Sequence, residues 1–359
     1  MSRAGFGKSF KFQGHHQNKA SVEEDSQMNY KDSLRIILEN CVLIFALGTK
    51  LLAKPWLPSK LRRLHEACSS FQQYMAEVYE EEKRSVAQGK VADRNFMTSL
   101  VRASKNETSE SPLGGLTERE IYGNMFTFNF AGHDTTAHTF TFALYFIAAN
   151  PEVQDWVSAE ICHVMGDRPP HEWQYSDFPR LKRCLAIMYE TLRLYTPVPT
   201  SKIIDGQLPQ SLTVGGRTLS LPPKTLIVPS YASLQTDPKY WGDDSLEWRP
   251  SRFIKPSGIT STTEIGFDEE EFIPPNPGTY IAWAGGARDC VGRKFSQVEF
   301  VAVIASLFRD WRVDVALADN ETPEMARKRV LNQIETDSAP VLLLQMLHPE
   351  QSPLSWSRR

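Results

Sequence analysis

The feature that most constrains the fold is a helical pattern of about thirty residues near the middle of the chain. Thr117 and Glu120 make a capping box, and apolar residues recur from there to Ala149, where Asn150-Pro151 ends the run. Without a proline inside it, this is an unusually long helix for a globular protein. Its centre, Ala131-Gly132-His133-Asp134-Thr135-Thr136, is made of poor helix formers. A threonine hydroxyl that bonds to a preceding carbonyl can bend a helix and open a local groove. A lone acid–threonine pair would read as a surface turn. Here Phe126, Phe128 and Phe130 precede the polar residues and Phe140 and Phe142 follow, so the pair is expected beside buried surface.

Helical spacing also runs from Lys31 to about Lys54 and from Ser59 to about Gln88, with Pro55 and Pro58 between the runs. A further helix is predicted from Pro151 to Met165, and another from about Phe178 to Tyr195 with Pro179 in its first turn. From Pro197 to Ser230 the chain turns to Val, Ile, Leu and Thr punctuated by Asp205-Gly206, Gly215-Gly216 and Pro222-Pro223, which predicts short strands and hairpins. Residues 231–282 read as an irregular meander. A helix to about Arg309 and strand-like pieces at Trp311–Leu317 and Val341–Leu347 follow. The expected class is mainly α with a smaller β portion (α+β). Residues 1–30, with the His15-His16 pair and the acidic patch Glu23 to Asp25, read as loop or frayed surface, and a polar segment, Ser104 to Gly115, leads into the long helix.

A net charge of −3 over 359 residues implies no global attraction to nucleic acid. The five cysteines are odd in number and widely spaced, which suggests neither a disulfide framework nor a zinc site. The most apolar stretch, Cys41 to Leu47, is far shorter than the ~20 residues of a spanning helix. It is expected to face a core, while the segment Leu51 to Leu57, with Trp56, could dip into a membrane surface.

One cysteine stands apart. Cys290 lies in Trp283-Ala-Gly-Gly-Ala-Arg-Asp-Cys290-Val-Gly292-Arg, with Gly286 before it, Gly292 after it, Arg288 close by and a helix-like run from Phe295. A single cysteine is by default a buried, inert residue. One that only fills a core gap needs neither flanking glycines nor an arginine. A glycine loop at the start of a helix favours a charged sulfur and suits a metal ligand. Upstream, Glu190-Thr-Leu-Arg193 puts an acid and a base on one helix face, a spacing also found at Glu81/Arg84 and Glu324/Arg327 and weak by itself. The apolar helix around it, and Arg249-Pro250-Ser251-Arg252-Phe253 further on, make a buried carboxylate between two guanidiniums plausible.

Taken in order, these motifs resemble the cytochrome P450 haem-thiolate monooxygenases. The run Trp283-x-x-Gly286-x-Arg288-x-Cys290-x-Gly292 resembles the family's haem-binding loop, with tryptophan where the family usually has phenylalanine. By that resemblance Cys290 is the iron ligand of haem b, Gly286 and Gly292 let the backbone pass close to the porphyrin, and Arg288 pairs with a propionate. The segment Gly132-His133-Asp134-Thr135-Thr136 resembles the oxygen-activating stretch. It implies room for O2 at Gly132, a hydrogen bond to oxygen from Thr135 and a proton relay through Asp134. Glu190, Arg193 and Arg252 would form a structural lock on the meander. The resemblance implies one partial family domain over 1–359: distal helices and loops (1–116), the long oxygen-binding helix (117–150), and the remaining helices, meander and haem loop (151–359).

The activity implied is insertion of one oxygen atom into a small apolar substrate. Electrons would come from NADPH through a separate cytochrome P450 reductase, because no Gly-rich dinucleotide fingerprint is present. Arg293 and Lys294 would serve as its docking patch. Association with the endoplasmic reticulum membrane surface is implied, though no anchor is visible; a cytoplasmic protein is expected if the short N-terminus is genuine. Met1-Ser-Arg-Ala-Gly-Phe-Gly resembles an internal family segment, so the family's N-terminal strands and helices are expected to be missing. That loss would leave an unpaired sheet edge and an exposed apolar face. It also makes a haem-binding or inactive remnant the alternative to an oxygenase. A haem-thiolate isomerase or dehydratase, which would need no external electrons, is disfavoured by Asp134 and Thr135.

Overall fold

The computed structural model describes residues 28–89, 95–105, 115–256 and 265–359. The His15-His16 pair, the acidic patch at Glu23 to Asp25, the opening Met1 to Gly7 and most of the polar segment before Gly115 lie outside the described residues. The chain forms two compact units, Met1–His133 and Asp134–Arg359.

The first unit is helical among the described residues: α1 (Tyr30–Glu39), α2 (Cys41–Leu47), α3 (Thr49–Leu52), α4 (Ser59–Ala87) and α5 (Phe96–Lys105) precede the first half of α6 (Glu118–Ala149). The single periodic run expected from Lys31 is cut twice. Asn40 turns out of helical geometry and folds its amide back onto the Ile36 carbonyl, and Gly48 adopts φ 72°. The core joins Leu34, Ile37, Leu64, Phe71, Met75, Met97, Ile121 and Met125. In α2 only Cys41 and Ile44 are buried, and Val42 and Phe45 face out, so the core-facing expectation holds for one side of this helix.

Helix α6 starts at the predicted capping box, where Thr117 Oγ1 lies 2.8 Å from the Glu120 carboxylate. It runs without a break through Asp134. In the second unit its side chains Phe142, Phe146 and Ile147 enter a core shared with α7 (Pro151–Met165), α8 (Lys182–Leu194) and later helices. Helix α8 is shorter than predicted at its start. Residues Tyr175–Arg180 form a 3₁₀ turn capped by Asp177, and Leu181 (φ −86°, ψ 61°) separates it from the helix. The Gln174 N–H donates to Asp177 Oδ2 at 2.9 Å and the Leu181 N–H to the Phe178 carbonyl at 3.2 Å, so the tighter turn closes on itself before α8 begins.

The predicted β region follows as β1 (Lys202–Ile203), β2 (Gln210–Val214), β3 (Arg217–Leu221) and β4 (Leu226–Ile227), paired β1–β4 and β2–β3, both antiparallel. The meander carries α9 (Tyr231–Thr236), α10 (Pro238–Trp241) and β5 (Ile254–Lys255), then α11 (Ile265–Glu269) and β6 (Glu271–Phe272), which pairs β5. The cysteine loop leads into α12 (Arg293–Phe308). Strand β7 (Trp311–Val315) then precedes an unpredicted helix, α13 (Pro323–Thr336), started by Thr322 as N-cap to Met325. Only Ala326, Val330, Gln333 and Ile334 of α13 are buried, so its mostly polar sequence hides the pattern. After β8 (Ser338–Pro340) and β9 (Leu344–Met346), the closing strand β10 (Leu354–Arg358), also unpredicted, pairs β7. All sheets among the described residues have two strands, and Ile203, Val214, Leu219 and Leu226 are exposed on them.

Candidate functional site

Helix α8 is where the site is built. Glu190 and Arg193 are fully buried, and the sequence spacing sets them one above the other. Arg193 Nε donates to Glu190 Oε2 at 2.7 Å and Nη2 to Oε1 at 2.9 Å. Arg252 Nε donates to the same Oε1 at 2.9 Å, and the Arg249 backbone N–H does so at 2.7 Å. The spare guanidinium hydrogens go to carbonyls of the meander: Gln235, Ser245 and Glu247 from Arg193, and Trp241, Asp244 and Glu247 from Arg252. A buried ion cluster is tolerable only when every donor and lone pair is used in this way. The three residues expected as a lock therefore meet, and they fix residues 235–253 to α8.

Three further residues carry the restraint onward, and the motifs did not name them. Gln235 is fully buried; its Nε2 donates to the Arg193 carbonyl (2.9 Å) and Thr196 Oγ1 (3.0 Å), while its Oε1 accepts the Ile281 N–H (2.8 Å). Tyr280 donates to the Tyr189 carbonyl at 3.1 Å. Glu160 of α7 accepts the Arg183 and Cys184 N–H groups at 2.8 and 3.2 Å and so caps α8 from a neighbouring helix. Burial pushes its carboxyl up to about 7, against the lowering effect of those hydrogen bonds and of Arg183.

The cysteine loop runs from Ile281 to α12. The Cys290 N–H donates to the Trp283 carbonyl (2.9 Å), and the Cys290 carbonyl accepts the Arg293 N–H (3.2 Å). Ala284 (φ 60°) and Gly286 (φ 82°) both take left-handed geometry, which glycine adopts freely and alanine only at a cost of about 1 kcal/mol. Trp283 is half-buried, with the Arg293 guanidinium over its ring at 5.3 Å. The Cys290 thiol is exposed and in no disulfide. A β-carbon placed on Gly292 would lie 3.7 Å from its sulfur, and one on Gly286 would meet open space. Arg288 is exposed, and so are Val291 (83%) and Phe295.

One soft sulfur donor with Gly292 beside it, open space at Gly286, exposed apolar groups and a cation within two residues fit haem. Cys290 would hold the iron, and Arg288 would meet a haem carboxylate. Asp134 and Thr135 are half-buried, with Thr136 and Thr139 buried beside them, and Thr139 Oγ1 donates to the Thr135 carbonyl at 2.8 Å. Further along the same helix, Phe140 stacks on Phe300 of α12 with ring centroids 4.5 Å apart. The part of α6 that follows the acid–alcohol pair and the helix that follows the thiol loop therefore pack in one core. Gly132 is half-buried on α6 at the end of the first unit. Phe128 packs on Phe96 at 4.1 Å.

The family model of cytochrome P450 matches residues 6–340. This chain belongs to that family. Among curated cytochrome P450 relatives, monooxygenase 124 of Postia placenta is 27% identical, covering 94% of this chain and 60% of the relative. A phomenoic acid biosynthesis cluster cytochrome P450 monooxygenase of Leptosphaeria maculans is 30% identical, covering 90% and 58%. The chain thus spans about three fifths of the length of these relatives. A crystal structure of a cytochrome P450 (CYP102L1) superposes with a TM-score of 0.66 at 19% identity, covering all of this chain and 68% of the other. That likeness establishes the cytochrome P450 fold.

Proposed function

We propose that this cytochrome P450 chain holds haem b through Cys290 and inserts one atom of O2 into a small apolar organic substrate. The observation that carries the reading is the exposed, unpaired Cys290 thiol at the amino end of α12, on a loop tied to the Glu190 lock. Bound haem would supply dioxygen activation and oxygen transfer, chemistry no side chain performs alone. The chain's own part begins with Cys290 Sγ as thiolate donor and the Arg288 guanidinium as partner for a haem carboxylate. Gly286, Gly292 and Trp283 shape the bed around the sulfur. Thr135 Oγ1 and the Asp134 carboxyl would hold and pass protons, with Gly132 leaving space beside them. Their half-buried setting on α6 supports that role.

Electrons would come from NADPH through a separate cytochrome P450 reductase, with exposed Arg293 and Lys294 in its docking patch. Among the described residues no helix is long and apolar enough to cross a membrane. Surface association with the endoplasmic reticulum is supported by exposed Val42, Phe45 and Trp56 (72%) close in sequence to Lys50 and Lys54.

The test is turnover. Protein with bound haem, supplied with NADPH, a reductase and isotopically labelled O2, should put one labelled oxygen atom into an apolar substrate. Haem binding without any NADPH-dependent turnover across a substrate panel would overturn the monooxygenase reading and leave a haem-binding protein.

A further inference from the structure

Tyr189 is one residue before the lock's carboxylate and is almost fully buried. Nothing in its local sequence marks it, since an aromatic on an apolar helix is ordinarily core. Its hydroxyl, however, accepts two side-chain hydrogen bonds from the helix that follows Cys290: Arg293 Nη2 at 3.2 Å and Gln297 Nε2 at 3.0 Å. Its ring lies edge-on to Trp283, 5.1 Å between centroids, and against Phe272 (4.9 Å) and Tyr280 (5.3 Å). Trp283 gives the carbonyl that holds the Cys290 N–H, and Arg293 gives the N–H that holds the Cys290 carbonyl. The Arg293 guanidinium also lies over the Trp283 ring, which closes the circuit. One side chain therefore touches both stems of the thiol loop, while its own backbone runs straight into Glu190.

We infer that Tyr189 is a positioning residue that sets the geometry of Cys290, transmitting the rigidity of the Glu190–Arg193–Arg252 lock to the sulfur. The ring alone fixes the entering stem. The hydroxyl fixes the leaving stem, because the Arg293 and Gln297 donors it satisfies have α12 as their base. Losing the oxygen leaves a nearly buried amide and a guanidinium short of a partner, and the loop then gains freedom without loss of the core. The inference rests on the haem-thiolate reading only for its spectral arm.

The substitution that isolates the hydroxyl is Tyr189→Phe. Hydrogen exchange on the full chain should show the amides of Cys290 and Arg293 exchanging about tenfold faster, with those of α7 (Pro151–Met165) unchanged. Gln297→Leu, which removes one of the two donors, should give a smaller rise at the same amides. In protein loaded with haem, Tyr189→Phe should lower the share of the reduced carbon monoxide complex that keeps thiolate ligation, at a melting temperature within a few degrees of the parent. Equal loop exchange in parent and variant would overturn the inference, and so would a rise spread evenly over the whole second unit. If the parent takes up no haem, the thiolate reading fails, while the exchange measurement still decides the role of Tyr189.

Discussion

Arg252 Nε stands 2.9 Å from Glu190 Oε1, across sixty-two residues of sequence, while Arg193 Nε holds the other oxygen at 2.7 Å. The carboxylate has no exposure to water, so its two guanidiniums and the Arg249 N–H replace its hydration entirely.

Removing that carboxylate should therefore be costly. Glu190→Ala leaves two buried cations facing each other, and a loss of about 3–5 kcal/mol is expected, read from the denaturant midpoint. Arg193→Lys should lose much of the same amount, because an ammonium cannot serve Glu190 and three meander carbonyls together. A loss under about 1 kcal/mol for either would mean that the cluster contributes little.

Gln235→Leu tests the link from the lock to the cysteine loop. It keeps the volume and strands the Ile281 N–H with the carbonyl of Arg193. We expect about 2–4 kcal/mol of destabilisation. Faster amide exchange should centre on Ile281 to Ala284, and uniform exchange along the second unit would argue against a link.

Glu160 gives a pH dependence with a definite sign. Its carboxyl titrates at about 7 in the folded chain, against 4.5 as the ordinary value. The native state thus holds this proton more tightly than the unfolded chain does. Its contribution to stability is complete below about pH 4.5 and is lost as pH rises through 7. Glu160→Gln should flatten the stability profile between those values, as measured by denaturation at a series of pH values. An unaltered slope in that window would remove Glu160 as its source.

Thr135→Ala tests the proposed proton relay. Haem content and thiolate ligation should stay as in the parent, and the yield of product per NADPH should fall several-fold with peroxide released instead. Unchanged coupling would remove Thr135 from the relay.

What was legible in the sequence follows physical range. The capping box of α6, the Asn150-Pro151 stop and the glycines around Cys290 are signals whose partners lie within a few residues, and each can be read directly. Glu190, Arg193 and Arg252 were reachable because one pair is local and the third residue sits in a recognisable Pro-x-Arg-Phe. Gln235, Glu160 and Tyr189 were not. Their partners lie tens of residues away or more, and a buried glutamine, an acid on an amphipathic helix and a core tyrosine carry no local mark of such pairings. Helix α13 escaped for the opposite reason: it buries so narrow a stripe that its polar majority masks the period. The break at Leu181 is a backbone turn that shifts the start of α8 without erasing the helix.

The central claim is that the Cys290 thiol binds haem iron, and a single spectrum tests it most directly. The reduced protein under carbon monoxide should show the red-shifted Soret band of thiolate ligation, and Cys290→Ala should abolish it. A parent protein that takes up haem without that band, or a Cys290→Ala variant that retains it, would contradict the account.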